Sequence, residues 1–439
     1  MEEVATRIVR RLREAGHEAL FAGGYVRDRL LDRPAHDIDI ATSARPEAVQ
    51  KLFPRTVAVG AQFGVIVVLE GDKEFQVATF RADGVYLDGR RPDSVAFTTA
   101  EGDALRRDFT INGLFYDPLE GRVIDYVRGE EDLRAGIVRC IGDAEARFSE
   151  DKLRLLRCVR FAATLGFQIA PETWHALRSR AGDVQAVSAE RIRQELVKIF
   201  LHSSRVLGFD LLDASGLLAA VLPEVAALKG CEQPPEFHPE GDVFVHTRLM
   251  LSLLPEAVSI PLVFSVLLHD IGKPPVLFRD EDGRIRFNGH ESVSARMSEE
   301  IFDRLRFSNA EREATVVAVQ NHMAFKDVQQ MRVATLKRFL ARPTIDDELE
   351  LHRVDCLGSH GMIDNYKFLL AMREEFSRAP LIPPPLVSGR DLIDLGWKPG
   401  PEFKKVLDAV QVCQLEGALT TRQDALDWIA RNRETGRSP

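Results

Sequence analysis

The chain has 439 residues, 45% of them hydrophobic and 28% charged, with a formal net charge of −9. This length suggests two to four domains, and the apolar content suffices for buried cores, which excludes a disordered chain. No apolar run reaches the roughly 18 residues of a transmembrane helix, and the acidic total requires any polyanionic partner to be met by a local gathering of Lys and Arg.

The N-terminal stretch MEEVATRIVRRLREAGHEAL reads as an amphipathic helix without the apolar centre of a signal peptide. FAGGYVRDRLLDRPAHDIDI (21–40) then reads as a strand, a Gly-Gly turn, a short helix and a second strand carrying Asp37 and Asp39. Residues i and i+2 of a strand share a face, roughly 6–7 Å apart at Cα, so the two carboxylates stand side by side. Such a pair repels itself unless a cation intervenes, and Mg²⁺ is the hard ion that suits oxygen ligands and nucleotide phosphates. Two ions about 3.5–4 Å apart would hold the attacking and leaving oxygens of a phosphoryl or nucleotidyl transfer. Gly23 and Gly24 open the intervening helix, where backbone N–H groups can approach an anion, and Arg27 lies within its first turn. The plain alternatives are a solvated D-x-D and an ordinary tight turn.

Strand signals continue at 58–71 and 75–81, followed by a polar segment between Asp83 and Asp103 whose length favours a functional loop. In RRDFTIN (106–112), Asp108 can accept from a ribose hydroxyl, Arg107 can donate to sugar or phosphate, and Asn112 can do both. From Ser149 the pattern becomes helical. Placed on one helix, Asp151 and Arg154 are i and i+3 and share a face. Cytosine and adenine each present an exocyclic amine beside a ring-nitrogen acceptor, whereas uracil and guanine present a carbonyl to the carboxylate. An Asp/Arg pair would therefore select C and A, the plain alternative being a simple salt bridge. Arg157 and Arg160 continue that face, and such a row repels itself unless it meets an anion such as a triphosphate. Ser188 is the expected N-cap of a helix ending at Phe200.

The Pro/Gly-rich stretch 230–242 marks a domain joint, residues 243–378 are helical by pattern, and PLIPPP (380–385) precedes a helical tail. A second basic cluster, Arg332, Lys337, Arg338 and Arg342, suits either a polyanion or a solvated helix face. Cys140, Cys158, Cys231, Cys356 and Cys413 are scattered and without C-x-x-C, as expected of thiols in a reducing cytoplasm.

The order GGYVRD, DIDI, RRDFTIN, EDKLR and SAERI-x-x-E (188–195) resembles the bacterial class II CCA-adding tRNA nucleotidyltransferase and poly(A) polymerase family over roughly residues 1–220. The resemblance implies an α+β fold: a small N-terminal mixed-sheet nucleotidyltransferase head (1–148), an all-α neck with the base template (149–225), an HD-type helical body (243–378) and a helical tail (386–439). It implies catalytic metal ligation by Asp37 and Asp39 with Mg²⁺. Nucleotide contacts would come from Gly24, Arg27, Arg107, Asp151, Arg154, Arg157 and Arg160, to which the residue chemistry above adds Gly23, Asp108 and Asn112. The family's flexible loop corresponds to about 83–103, and its full length argues for an enzyme able to add A. Where much of the family carries a third acidic residue, this chain has Gln76, with Glu74 two residues earlier on the same strand face.

His246, the adjacent pair His269-Asp270, His290, His322 and Asp355 resemble the ligand set of the HD phosphohydrolase superfamily. Imidazole and carboxylate ligands suit a divalent metal, whose identity the sequence leaves open, and a bridging hydroxide can attack a phosphoester. The resemblances together imply an enzyme that builds the 3′-terminal CCA of tRNA from CTP and ATP, with no membrane partner. Rival readings are a poly(A) polymerase or A-only enzyme, an HD phosphohydrolase with an inactive head, and, less well matched, a uridylyltransferase. Oligomeric state is not legible.

Overall fold

The structure is a computed structural model and describes all residues except 35–36, 61–63, 84–94, 235, 237 and 435–439. The chain divides into two compact units, Met1–Ala227 with Asp303–Phe307, and Leu228–Phe302 with Ser308–Pro439.

In the first unit, α1 (Glu2–Glu14) buries Ala5, Ile8, Val9 and Leu12, an i, i+3, i+4, i+7 stripe, with Glu2 and Glu3 in its first turn and Arg11 and Arg13 in its last. The strands are β1 (Ala19–Ala22), β2 (Asp39–Thr42), β3 (Thr56–Gly60), β4 (Val65–Glu70), β5 (Lys73–Thr79), β6 (Arg81–Asp83), β7 (Val95–Phe97), β8 (Leu114–Asp117) and β9 (Arg122–Asp125). Seven form one mixed sheet in the order β3-β4-β5-β2-β1-β8-β9. β2 runs antiparallel to β1 with Ala22 opposite Asp39, and parallel to β5 with Ile40 opposite Val77. The acidic end of β2 therefore lies beside the end of β1, where the glycine turn begins.

The further helices are α2 (Gly24–Leu30), α3 (Pro46–Leu52), α4 (Ala100–Leu105), α5 (Gly129–Ala135), α6 (Ala144–Glu150), α7 (Arg154–Leu165), α8 (Pro171–Ser179), α9 (Ala189–Phe200), α10 (Arg205–Ser215), α11 (Leu217–Val221) and α12 (Pro223–Ala226). Leu20, Ala22, Ala41, Phe80, Ala100, Ala104 and Phe115 form a core cluster that seats α4 on the sheet. Of the expected loop between Asp83 and Asp103, residues 84–94 lie outside the described residues. The remainder is ordered: β7 pairs with β6, and Thr99 caps α4 by accepting from the Gly102 N–H. Ser188 is the N-cap residue of α9, as expected, but its side chain makes no capping bond.

The second unit is built from helices. Those that bear on the site are Val243–Leu253, Ile260–Leu268, His290–Arg304, Asn309–Asn321 and Ile345–Gly358. Ile260–Leu268 is buried on nearly every side, which explains its continuous apolar run. Val387, Leu392, Val406, Val410, Leu419, Ala425 and Ile429 make a separate core for the tail. Two of the second basic cluster face that tail, Lys337 Nζ donating to the Leu415 carbonyl (2.8 Å) and Arg338 to Gln411 (2.9 Å), while Arg342 pairs with Glu348 of the helical body (2.7 Å). Three of the cluster's four cations thus hold protein partners rather than offering an open basic patch. Among the described residues no helix is long and apolar enough to cross a membrane.

Candidate functional site

The first site is a cleft of about 640 Å³ in the head. Gly23, Gly24, Arg27, Asp39, Arg107, Asp108, Asn112, Asp151, Arg154, Arg157 and Arg160 all line it, so the structure gathers eleven of the twelve residues expected there. Gly23 has φ 68°, and a Cβ on it would lie 2.9 Å from Arg107 Nη1, so both backbone and space call for glycine. Arg27 Nη1 donates to Asn112 Oδ1 (2.8 Å) while its Nε donates to Asp28 (2.8 Å). Arg107 forks onto Asp103 and donates through Nη1 to the Asn112 carbonyl (3.1 Å).

β2 begins at Asp39, so Asp37 lies just ahead of the strand rather than within it. The alternation survives nonetheless: Asp37 and Asp39 are exposed while Ile38 and Ile40 are buried, which puts both carboxylates on one face. Asp39 lines the cleft and Asp37 does not. Although Asp39 presents surface to solvent, desolvation by the cleft walls pushes its carboxyl above the usual range; Arg107 opposes this and Asp37 adds to it. Gln76 lines the cleft on β5, next to Asp39 by the strand register, whereas Glu74 does not line it. The third position beside the pair is therefore an amide. An all-oxygen pair with mutual repulsion at the mouth of an open cleft fits a hard divalent cation.

Two expectations need correction. Asp151 and Arg154 do not share a helix. α6 ends at Glu150, Asp151 is extended (φ −131°, ψ 103°), and α7 starts at Arg154. Asp151 breaks the helix by accepting from the Leu153 N–H through Oδ1 (3.1 Å), and Arg191 of α9 holds its Oδ2 (2.9 Å). Arg154 instead donates to Glu150 (2.7 Å) and to the Arg147 and Arg106 carbonyls (3.0 Å each). The pair meets only as two walls of one cleft. Nor does the arginine row await a triphosphate for relief: Arg157 pairs with Asp108 (2.5 Å), Arg160 with the buried Glu195 (2.5 Å), and Arg154 with Glu150. Asp108 is buried, and accepts from Arg157, Asn112 and the Phe109 N–H. Burial works against its ionisation, yet Arg157 and these hydrogen bonds lower its pKa to about 2. Its oxygens are already engaged, which leaves a ribose hydroxyl little to claim.

Sequence reasoning missed Arg191 and Phe161. The guanidiniums of Arg160, Arg27 and Arg157 lie 4.0, 5.1 and 5.2 Å from the Phe161 ring centroid. This clustering orients three cations at the cleft wall. Phe161 is spaced as a core residue of α7 and gave no separate signal.

The second site brings together all six HD-type residues. His246 Nε2 lies 3.1 Å from Asp355 Oδ1, and His269 Nε2 3.1 Å from Asp270 Oδ2. His290 Nε2 lies 3.3 Å from Asp270 Oδ1 and 3.1 Å from His322 Nε2. The opposite ring nitrogens explain this convergence. The Nδ1 atoms of His269, His290 and His322 lie 3.0, 2.9 and 2.7 Å from the carbonyls of Val266, Phe287 and Val319, and His246 Nδ1 lies 2.7 Å from Glu240. A carbonyl can only accept, so in His269, His290 and His322 Nδ1 carries the proton and Nε2 turns its lone pair inward. Two such lone pairs 3.1 Å apart, facing the Asp270 carboxylate, are repulsive without a cation. The centre thus fits a divalent metal: His246, His269 and Asp270, and Asp270, His290 and His322, each bring ligand atoms close enough together to hold an ion, with Asp355 beside His246. Consistently, the His269 Nε2 and both Asp270 oxygens are buried without an aligned hydrogen bond. Burial and the neighbouring His269 push His322 down to about 3. For His246 burial is outweighed by Asp355 and Glu240, which raise it to about 9. Asp270 is held well below the carboxylate range against its burial, by His269 and then Lys273, whose Nζ is 2.7 Å away. Lys273, Glu240 and His238 were not anticipated.

The poly A polymerase head domain matches residues 19–139, the probable RNA and SrmB-binding site of polymerase A matches 166–229, and the HD domain matches 243–357. A CCA-adding enzyme of Streptococcus uberis is 48% identical over 202 residues, covering 46% of this chain and 50% of that protein. One from Streptococcus pyogenes is 47% identical over 195 residues, 44% of this chain and 48% of that protein. The chain thus spans about half the length of the curated relatives it matches. Among solved structures, the Bacillus stearothermophilus CCA-adding enzyme in complex with CTP has a TM-score of 0.77 at 27% identity, covering 99% of this chain and 98% of that one. The Thermotoga maritima CCA-adding enzyme complexed with tRNA shares the fold, with a TM-score of 0.62 at 19% identity over 98% and 95% of the two chains. The three family models thus match this chain in the order head, RNA-binding site, HD domain.

Proposed function

We propose that this chain is a template-independent tRNA nucleotidyltransferase that adds or repairs the 3′-terminal CCA using CTP and ATP, and that its HD centre is a metal-dependent phosphohydrolase. The observation that carries the first part is one cleft, in which Asp39, a glycine turn, a row of oriented arginines and Asp151 meet. The curated relatives and structural neighbours named CCA-adding enzymes support it.

In this reading Mg²⁺ is held by Asp37 and Asp39, where it would activate the tRNA 3′-hydroxyl and neutralise the triphosphate. The 3′-oxygen bonds to the α-phosphorus, the α–β bridging P–O bond breaks, and pyrophosphate leaves. Gly23 and Gly24 let the triphosphate approach the backbone, and Arg27 and Arg107 neutralise its charge. Asp151 accepts from the exocyclic amine of cytosine or adenine, and Arg154 and Arg191 line the same cleft. Uracil and guanine would face Asp151 with a carbonyl and no proton to share. Arg157 and Arg160 hold the wall in place through Asp108 and Glu195. The tRNA would be gripped by shape and phosphate contacts. In the HD centre a divalent ion, whose identity is open, would supply a hydroxide for attack on a phosphoester. The five cysteines are free thiols, which suits a cytoplasmic protein.

The test is extension of tRNA transcripts ending in N, NC or NCC by purified protein, with CTP and ATP supplied separately. C joining the first two ends and A joining the third supports the reading. Addition of A alone, or of a long A tract, favours an A-only enzyme or a poly(A) polymerase. No addition with phosphoester hydrolysis intact favours the HD phosphohydrolase with an inactive head.

A further inference from the structure

We propose that Gln233, His238 and Glu240, from a stretch that composition marks as a joint, belong to the HD centre, with Glu240 as the residue that positions His246 for a cation. This rests on reading that centre as a metal site. Three of its four imidazoles take their orientation from their own backbone, each Nδ1 facing the carbonyl three residues earlier. His246 is the exception. The carbonyl three residues before it, that of Val243, accepts from the Thr247 hydroxyl (2.9 Å). Its Nδ1 lies 2.7 Å from Glu240 Oε1, against 3.4 Å from the Gly358 carbonyl.

The geometry is that of an outer-sphere carboxylate. His246 Nδ1 lies beside the Glu240 carboxylate as well as the Gly358 carbonyl, so a cation that displaced the proton between Nε2 and Asp355 would meet an imidazole that the carboxylate makes a stronger ligand. Glu240 is itself fixed. Its side chain is 8% exposed, and the same Oε1 lies 2.9 Å from His238 Nδ1. Asp242 pins the segment on both sides, accepting from the Val245 N–H (2.9 Å) and the Gly230 N–H (2.6 Å). A second thread leaves the same segment: Gln233 Oε1 accepts from Lys273 Nζ (2.6 Å), which lies 2.7 Å from Asp270 Oδ2. The segment therefore touches a ligand from each side of the centre.

The test measures Mn²⁺ binding to the full chain by electron paramagnetic resonance. Asp37→Ala and Asp39→Ala are present throughout so that the head contributes nothing, and His322→Ala marks a lost site. Glu240→Ala is expected to weaken Mn²⁺ binding about 10–100-fold, as loss of an outer-sphere partner does. Glu240→Gln, which keeps an acceptor oxygen, is expected to recover part of that loss, and the melting temperature of the metal-free chain stays the same in both. Equal Mn²⁺ affinity in Glu240→Ala and its parent overturns the proposal, as does a loss of affinity matched by a lower metal-free melting temperature in both variants. Failure of the parent to bind Mn²⁺ more tightly than His322→Ala removes instead the reading of the centre as a metal site.

Discussion

Replacing Asp108 by Asn removes a buried charge that joins the RRDFTIN turn to α7 while keeping its volume. Asp108 Oδ2 accepts from Arg157 at 2.5–2.7 Å, and Oδ1 accepts from the Phe109 N–H and Asn112. In the variant an amide can keep the Oδ1 bonds, but its –NH₂ then faces Arg157, donor against donor. The magnitude follows from the native pKa, lowered from 3.8 to about 2. That difference of about 1.8 units, at 1.36 kcal/mol each, makes the ionised carboxylate worth about 2.4 kcal/mol to the folded state. The native pKa is depressed, so this stability is fully present above pH 4 or so and fades as pH falls from about 3.8 to about 2. The assay is hydrogen exchange of the slowest amides of α7, read by mass spectrometry. At pH 7 they are expected to exchange about 60-fold faster in Asp108→Asn, the factor equivalent to about 1.8 pKa units. At pH 2.5 the native carboxylate has lost most of its advantage and the ratio falls to about fourfold. Equal protection at pH 7, or a ratio that persists undiminished in acid, would refute the assignment of Asp108 as an ionised strut.

Three further outcomes are expected. Asp151→Asn can turn an –NH₂ toward a base carbonyl, so UTP incorporation relative to CTP should rise about tenfold to a hundredfold in competition assays; an unchanged ratio contradicts a base-reading role. Gln76→Glu adds a third carboxylate beside Asp39, and for an exposed charge worth about 1 kcal/mol the Mg²⁺ concentration giving half-maximal transfer should fall about fivefold. A rise in that concentration would place Gln76 away from the cation. His322→Ala removes one of the convergent imidazoles, so divalent metal measured by mass spectrometry after dialysis should drop out of the HD centre while CTP incorporation by the head persists. Retention of the full metal content would show that His322 is only a core histidine.

Much of both sites was legible because it depends on local chemistry. The Gly-Gly turn announces itself where an apolar strand meets a helix that needs a positive φ at Gly23. The adjacent His269-Asp270 at the end of a helix apolar all round has few other uses. What escaped reading depended on partners distant in sequence. Arg157 finds Asp108 and Arg160 finds Glu195, so the arginine row is neutralised by carboxylates that periodicity could not assign to it. Asp151 looked helical because E-D-K-L-R favours helix, yet its side chain caps Leu153 and ends the helix instead. Lys337 and Arg338 looked free until the tail supplied acceptors for them. Glu240 and His238 lay hidden in a stretch whose prolines and glycines read as a connector, although the fold packs it on His246.

The central claim is that Asp37 and Asp39 carry nucleotidyl transfer onto an RNA terminus. The most direct measurement is incorporation of α-labelled CTP into a tRNA transcript that ends at the discriminator base, by the parent chain and by Asp37→Ala and Asp39→Ala. The parent should label the 3′ end with two C residues and then stop until ATP is added, and both variants should add none while keeping metal in the HD centre. A parent that adds no C, or variants that label as well as the parent, would contradict it.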